Sequence, residues 1–324
     1  MKKYKSFITI TLLFYLIAVV LWLATGEIFY LYNFIIIGTA LGLGMGLWPV
    51  FPKNKKNKAR LISQALVGGY MFFGLGCGLI YMMFGYIMPE NMQIEGFWLW
   101  LLSGVFMAGV IHYAIAKIIG PLIFNRAWCG WACWTAAILD ILPWKVNKIK
   151  RPLKYRRIRY IHFALSATVV FVLFFGFKYG LPETLRQIDL EQRWKFSEVI
   201  SIYFSRIPEL WWFLGGNILY YAVGIGLAFV LKDNRAFCKY LCPIPVFMKV
   251  GSKRSLLKVD KTDEECIDCK LCEKRCPMDI EIMGYINSGH RVNSSECILC
   301  QTCVDVCPKN ALGLTWSSSG HSKN

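Results

Sequence analysis

The chain has 324 residues, of which 56% are hydrophobic, and it carries a formal net charge of +17. Its mean hydropathy of +0.43 is too high for an ordinary soluble protein and indicates the membrane class. A strongly basic chain also suggests nucleic-acid binding, so the positions of the charges have to decide between these two classes of protein.

Six stretches are long and apolar enough to cross a bilayer, which needs about 20 residues of helix. They are Ser6–Thr25, Ile28–Trp48, Leu61–Met88, Phe97–Gly120, Tyr160–Tyr179 and Leu210–Leu231. The sequence therefore predicts an all-α polytopic membrane domain of about six transmembrane helices over residues 1–250. A small α+β domain is predicted at residues 251–316, and residues 317–324 are predicted to be a disordered tail.

Basic residues alternate with these spans along the chain. Three lysines precede the first span, five basic residues occupy 53–60, and nine occupy 121–159. The intervening loops instead contain Glu27, Glu90 and Glu95. By the positive-inside rule, we expect the protein to lie in the cytoplasmic membrane with both termini and the C-terminal domain of 251–316 in the cytoplasm. This distribution also argues against nucleic acid as a partner.

Eight cysteines near the C-terminus form two copies of the spacing Cys-x2-Cys-x2-Cys-x3-Cys-Pro. Such runs bind [4Fe–4S] clusters through thiolates, and the fourth cysteine of each run serves the other cluster. A structural zinc fold is the competing interpretation, but zinc sites usually pair two separated Cys-x2–4-Cys segments. The predicted ligand sets are Cys266, Cys269, Cys272 and Cys307 for one cluster, and Cys297, Cys300, Cys303 and Cys276 for the other.

A second cysteine pattern is duplicated. Residues 125–133 (Asn-Arg-Ala-Trp-Cys-Gly-Trp-Ala-Cys) match residues 234–242 (Asn-Arg-Ala-Phe-Cys-Lys-Tyr-Leu-Cys), and each copy follows a predicted span. Parallel repeats about an axis along the membrane normal would bring the two Cys-x3-Cys pairs together. The four thiols of Cys129, Cys133, Cys238 and Cys242 then suit a third iron–sulfur cluster or another soft metal centre such as zinc or Cu(I). Reactive dithiol chemistry and simple packing are the alternatives.

Clusters attached to a membrane domain suggest a lipid-soluble electron donor or acceptor such as a quinone. Quinone chemistry needs a proton-transferring group beside an apolar slot, and intramembrane histidines are candidates for this role. His112 and His162 are predicted near the cytoplasmic boundary and are the candidate quinone-site residues. Haem ligation and ordinary packing are the competing interpretations of both histidines.

Paired Cys-x3-Cys segments followed by a two-cluster ferredoxin domain resemble the NapH/NosR/CcoG-type polyferredoxin membrane proteins. The resemblance extends from about residue 61 to 310. The family pattern is Cys-x3-Cys-Pro, which Pro243 keeps in the second copy and Trp134 departs from in the first. The resemblance implies an iron–sulfur electron-transfer subunit of the quinol dehydrogenase type, which exchanges electrons between the quinone pool and a redox partner protein.

Two other functions belong to the same resemblance. One is a copper reductase or metal assembly factor that uses the four membrane-edge thiols, and the other is a redox-sensing regulatory subunit. No phosphate loop, dinucleotide fingerprint or hydrolase triad is found in the sequence. We therefore expect a protein that works with membrane lipid, quinone and protein partners rather than a complete stand-alone enzyme.

Overall fold

The computed structural model describes residues 4–52, 55–80, 91–104, 110, 113–144, 153–180 and 208–316. His112 and the predicted tail at 317–324 lie outside these ranges. The helices are α1 Lys5–Thr25, α2 Ile28–Leu41, α3 Lys56–Gly69, α4 Ile94–Leu102, α5 Gly120–Phe124, α6 Ala127–Trp131, α7 Trp134–Leu139, α8 Ile158–Phe171, α9 Pro208–Leu231, α10 Ala236–Tyr240, α11 Pro245–Ser252, α12 Leu271–Lys274, α13 Ile282–Asn287 and α14 Thr302–Asp305. The strands are β1 Leu257–Lys261 and β2 Leu312–Trp316.

Four helical stretches of the described chain are long and apolar enough to cross a membrane. They are Lys5–Thr25, Ile28–Val50, Lys154–Gly176 and Leu210–Leu231. The second and third stretches include the short π-helical or 3₁₀ turns that continue α2 and flank α8. The third and fourth predicted spans fall partly on residues outside the described ranges, so six spans stay a prediction.

The membrane helices expose apolar side chains that only lipid can cover. On α1, Leu12, Leu16 and Leu23 are 59%, 62% and 73% exposed. Apolar surface on this scale is unfavourable in water, but it matches the hydrocarbon of a bilayer. The chain is therefore a membrane protein, as its composition predicts.

The C-terminal part is a small α+β unit built around cysteines. Strands β1 and β2 pair antiparallel, with Leu257 opposite Trp316 and Lys261 opposite Leu312. Beneath them, Val259 and Met278 are almost completely buried and share one apolar core with cysteines of both ferredoxin motifs. Because the sheet joins the two ends of this unit, it closes the unit around the cysteine-rich loops.

A buried ion cluster fixes this unit to the rest of the chain. The carboxylate of Glu296 accepts from Arg126 Nη1 at 2.7 Å and from Arg159 Nη1 at 3.1 Å, and Lys249 Nζ lies 2.8 Å away. Burial alone would raise the pKa of the Glu296 carboxyl, but the three cations hold it well below its ordinary value. The carboxylate therefore stays ionised and binds three helical segments to the ferredoxin unit.

A second buried ion cluster joins three helices of the membrane domain. Asp140, which directly follows α7, contacts Arg60 Nη1 of α3 and Arg235 Nη2 before α10, each at 2.5 Å. Burial would raise the pKa of the Asp140 carboxyl, but Arg235 and Arg60 hold it below its ordinary value. One carboxylate thus balances two guanidinium groups that are at most 5% exposed.

Replacing Asp140 with asparagine should destabilise the protein, because the change leaves two buried guanidinium groups without their counter-charge. We expect the free energy of unfolding to fall by about 3–5 kcal/mol. Denaturant unfolding of the detergent-purified protein measures this change. Asp263→Asn is the matched control, since Asp263 is exposed, and it should alter stability by less than about 0.5 kcal/mol. Equal stability of the two variants would contradict the structural role of Asp140.

Candidate metal centres and an adjoining cavity

The two Cys-x3-Cys pairs lie in one place. Cys129 is inside α6 and Cys238 inside α10, while Cys133 and Cys242 follow just after the helices end. The four thiols line a single cavity. In each pair, the first cysteine lies within the short helix and the second lies in the chain that follows it. The two pairs therefore face a common space.

The second of these segments folds back along α9. The ring of Phe237 lies 5.3 Å from that of Tyr220, and an added Cβ at Gly224 would be 3.6 Å from the Phe237 side chain. Tyr220 is about 16 Å from the end of α9 at Leu231, at a rise of about 1.5 Å per residue. The second Cys-x3-Cys segment therefore lies alongside α9 and does not extend beyond the C-terminal end of that helix.

Positive side chains surround the four thiols. Arg235 Nη1 is 3.7 Å from Cys238 Sγ and donates to the Cys129 carbonyl at 3.1 Å. Arg126 and Lys117 also line this cavity and are 0% and 6% exposed. Cationic neighbours stabilise thiolates and offset the net negative charge of a thiolate-bound cluster.

The thiols themselves are poor nucleophiles without a metal. Burial, with Cys129 and Cys238 nearby, raises the pKa of the Cys133 thiol to about 11. Burial and the same group of cysteines raise the pKa of Cys242 well above its ordinary value. Because the thiolate is the reactive form, this environment disfavours free dithiol chemistry.

The four thiols form a soft donor set of the kind that binds an iron–sulfur cluster, zinc or Cu(I). Among the residues that the structure describes, no three cysteine, histidine or carboxylate side chains converge as the ligands of one metal ion would. The same holds for the cysteines of the ferredoxin motifs. In a cubane each thiolate binds a different iron, so the four sulfurs stand further apart than around one zinc or copper ion. Four thiolates are the usual ligand set of such a cluster, and ligation by these four thiols stays a prediction.

The ferredoxin cysteines separate into a buried and an exposed group. Cys276, from the first motif, lines one cavity with cysteines of the second motif, as the crossed ligation predicts. The partners in that cavity are Cys297, Cys300 and Cys303. In the other predicted set, Cys266 and Cys269 are exposed. These two ligand sets fit cubanes, one enclosed by protein and one near the surface, and the assignment of each ligand stays a prediction.

The buried ferredoxin cysteines lie against the first Cys-x3-Cys segment. Cys129 belongs to the same apolar core as Cys297 and Cys300. Trp131 Nε1 donates to the Leu299 carbonyl at 2.9 Å. An added Cβ at Gly130 would lie 2.2 Å from the Ile298 carbonyl oxygen, so only glycine permits this approach. The loop of the second motif is thus pressed directly onto α6.

His162, the described member of the histidine pair, borders a large apolar cavity. Its Nδ1 lies 2.8 Å from the Leu241 carbonyl oxygen, and its ring meets the Tyr220 ring edge to face. Glu95 also lines the cavity and accepts a hydrogen bond from the Tyr220 hydroxyl at 3.2 Å. The charge pattern assigns Glu95 to an outer loop, but the structure brings it beside the middle of α9.

Sequence reasoning missed Glu95, Gln93 and Tyr220 as site residues. A carboxylate near the start of a predicted apolar span is the one signal that pointed to Glu95. Trp134, which replaces the family proline, donates from Nε1 to Asn217 Oδ1 at 2.9 Å. The departure from the family pattern is thus accommodated by a hydrogen bond that ties α7 to α9.

Two family models match the chain. A model described as a 4Fe-4S dicluster domain matches residues 265–312, and one described as a 4Fe-4S binding domain matches residues 100–152 and 218–260. The second match covers both Cys-x3-Cys segments. No solved structure matches the chain.

Curated relatives agree with these models. An uncharacterized protein of Methanocaldococcus jannaschii is 26% identical over 54% of this chain and 70% of its own length. YccM of Escherichia coli, whose name assigns it to electron transport, is 28% identical over 54% of this chain and 48% of its own. The regulatory protein NosR of Pseudomonas aeruginosa is 27% identical over 48% of this chain and 21% of its own. The motifs, these family models and these relatives support a polyferredoxin of the NosR/NapH type, an iron–sulfur protein family of electron transport.

Proposed function

We propose that this protein exchanges electrons between the quinone pool of the cytoplasmic membrane and a redox partner protein. The observation that carries the proposal is the continuity of three sites. Gln93 and Tyr220 line both the apolar cavity and the four-thiol cavity. Cys129 of the four-thiol cavity then shares its core with the buried ferredoxin cysteines. An electron could therefore pass from lipid to the protein surface without crossing an open gap.

Three clusters would make up this path. Cys129, Cys133, Cys238 and Cys242 would hold a third [4Fe–4S] cluster, and the two ferredoxin sets would hold the others. When bound, these clusters supply reversible one-electron chemistry. The residues of the chain enclose two of the sites and leave Cys266 and Cys269 exposed, which suits electron exit to a partner.

The membrane arrangement is part of the proposal. Six spans over residues 1–250 would put both termini and the ferredoxin domain of 251–316 in the cytoplasm. Alternation of basic loops with apolar stretches supports this orientation. The protein would then act as the electron-transfer subunit of an oxidoreductase, with its exposed cluster facing soluble cytoplasmic partners.

A copper reductase or assembly factor is the competing function. It would use the same four thiols to hold copper ions, since soft thiolates also select Cu(I). A redox-sensing subunit would need no quinone cavity. Metal content and quinol turnover separate these functions.

Metal analysis of the anaerobically purified protein should find about twelve irons and about twelve acid-labile sulfides per chain. Cys238→Ser should reduce the iron to about eight, because one cubane loses a ligand. Cys77→Ser is the control, since Cys77 belongs to no predicted ligand set, and its iron content should equal that of wild type. Stoichiometric copper that disappears in Cys238→Ser, with unchanged iron, would support the assembly factor instead.

Quinol added anaerobically to the wild-type protein should bleach the visible absorbance of its ferredoxin clusters. In Cys238→Ser this reaction should fall to the background rate, because the link between the cavity and the ferredoxin is lost. Dithionite, which reaches the exposed cluster directly, should reduce both proteins. Wild-type clusters that dithionite reduces but no quinol does would argue against quinone exchange.

A further inference from the structure

A cavity of about 760 Å³ lies between the start of α4, α8 and α9. Its volume is within the range of about 300–1,000 Å³ that is typical of small-molecule sites. Most of its lining is apolar, and leucine, valine and tryptophan side chains make up its walls. The cavity can hold a ring-sized headgroup in an environment without bulk water.

The cavity opens sideways toward lipid. Val169 on α8 is 47% exposed, and Trp211 and Leu219 on α9 are 56% and 60% exposed. These residues belong to the stretches that are apolar enough to cross a membrane. A ligand with a long apolar tail can therefore enter from the bilayer and leave its tail there, whereas a soluble metabolite has no comparable route.

Two buried polar atoms in the cavity wall lack partners. Glu95 Oε1 accepts from Tyr220, but Oε2 has no hydrogen-bond partner among the described residues, and neither has Gln93 Nε2. Gln93 is only 5% exposed. An unsatisfied buried polar atom costs about 1–3 kcal/mol, so an acceptor and a donor left together point to a ligand that supplies both partners.

His162 adds a second acceptor. Its Nδ1 lies 2.8 Å from the carbonyl of Leu241, and a carbonyl only accepts, so Nδ1 carries the proton of the neutral ring. Nε2 is then the acceptor nitrogen of a histidine that lines the cavity. Leu241 directly precedes Cys242, so this hydrogen bond also ties the cavity wall to the four-thiol segment.

We propose that this cavity binds a quinol headgroup, with Glu95 and His162 as the acceptors of its two hydroxyl protons and Gln93 as a donor to its oxygen. The assignment rests on the proposed quinone exchange. Oxidation of one quinol gives one quinone, two protons and two electrons. The protons pass to Glu95 and to His162 Nε2, and the two electrons would leave singly through the cluster that the adjacent four thiols would hold.

Filling the cavity tests the location of the site. Gly215 lines the cavity, and an added Cβ there meets nothing within 4 Å, so Gly215→Leu should place its side chain in the binding space without strain. Gly226 on the same helix has equally open surroundings and does not line the cavity, so Gly226→Leu is the matched control. In titrations with a short-chain quinone, followed by tryptophan fluorescence, Gly215→Leu should raise the Kd at least about tenfold. Gly226→Leu should bind as wild type.

Removing the carboxylate tests its role as proton acceptor. Glu95→Gln keeps the shape and the bond to Tyr220 but cannot take a proton. The rate of cluster reduction by quinol should fall by about 10²–10⁴-fold, the usual contribution of a general base. The Kd for quinone should change by less than about threefold, and dithionite should still reduce the clusters fully. A purely structural role would weaken binding or cluster content together with the rate.

The outcomes separate the site from the function. If wild type binds and oxidises quinol, but Gly215→Leu and Glu95→Gln behave as Gly226→Leu does, the quinone site lies elsewhere and quinone exchange stands. If wild type with its clusters intact neither binds quinone nor reacts with quinol, both proposals are overturned. Loss of binding in Gly215→Leu together with loss of rate in Glu95→Gln supports the cavity as the site.

Discussion

The contact between α6 and the second ferredoxin motif is the constraint on which the rest of this structure depends. Gly130 lets the Ile298 carbonyl approach, and Trp131 holds the neighbouring Leu299 carbonyl by a hydrogen bond. Glu296, one residue before the motif begins, is bound by three cations. Together these contacts bring a surface module and a membrane segment into direct apposition, so their cysteines can belong to one path.

Buried charge in this protein is paired rather than avoided. The arginines of the duplicated segments, Arg126 and Arg235, both lie beside the thiols, yet they are balanced by Glu296 and Asp140 respectively. Ion pairs of this kind contribute little net stability against apolar replacements, but breaking one is costly. Here they keep positive charge next to a site that would hold a negative cluster, while each guanidinium also contacts a buried carboxylate.

The duplicated cysteine segment and the ferredoxin motifs could be predicted from local spacing. The repeat predicts that Cys129 and Cys238 approach each other, and the structure brings all four thiols to one cavity. The charge pattern, by contrast, treats Glu95 as a loop residue. That assignment considers only neighbours along the chain, whereas the partner of Glu95 is Tyr220, which is 125 residues away.

The sequence by itself determined the iron–sulfur chemistry, the membrane class and the family, because thiolate spacing and long apolar runs are local properties. Only the tertiary structure decided which polar groups meet in the apolar cavity and which ferredoxin cysteines are buried. It also decided how Trp134 replaces a proline, through its hydrogen bond to Asn217. These features depend on contacts between segments that are far apart in the chain. A periodicity or motif within one segment does not specify which side chain of a distant segment will contact it.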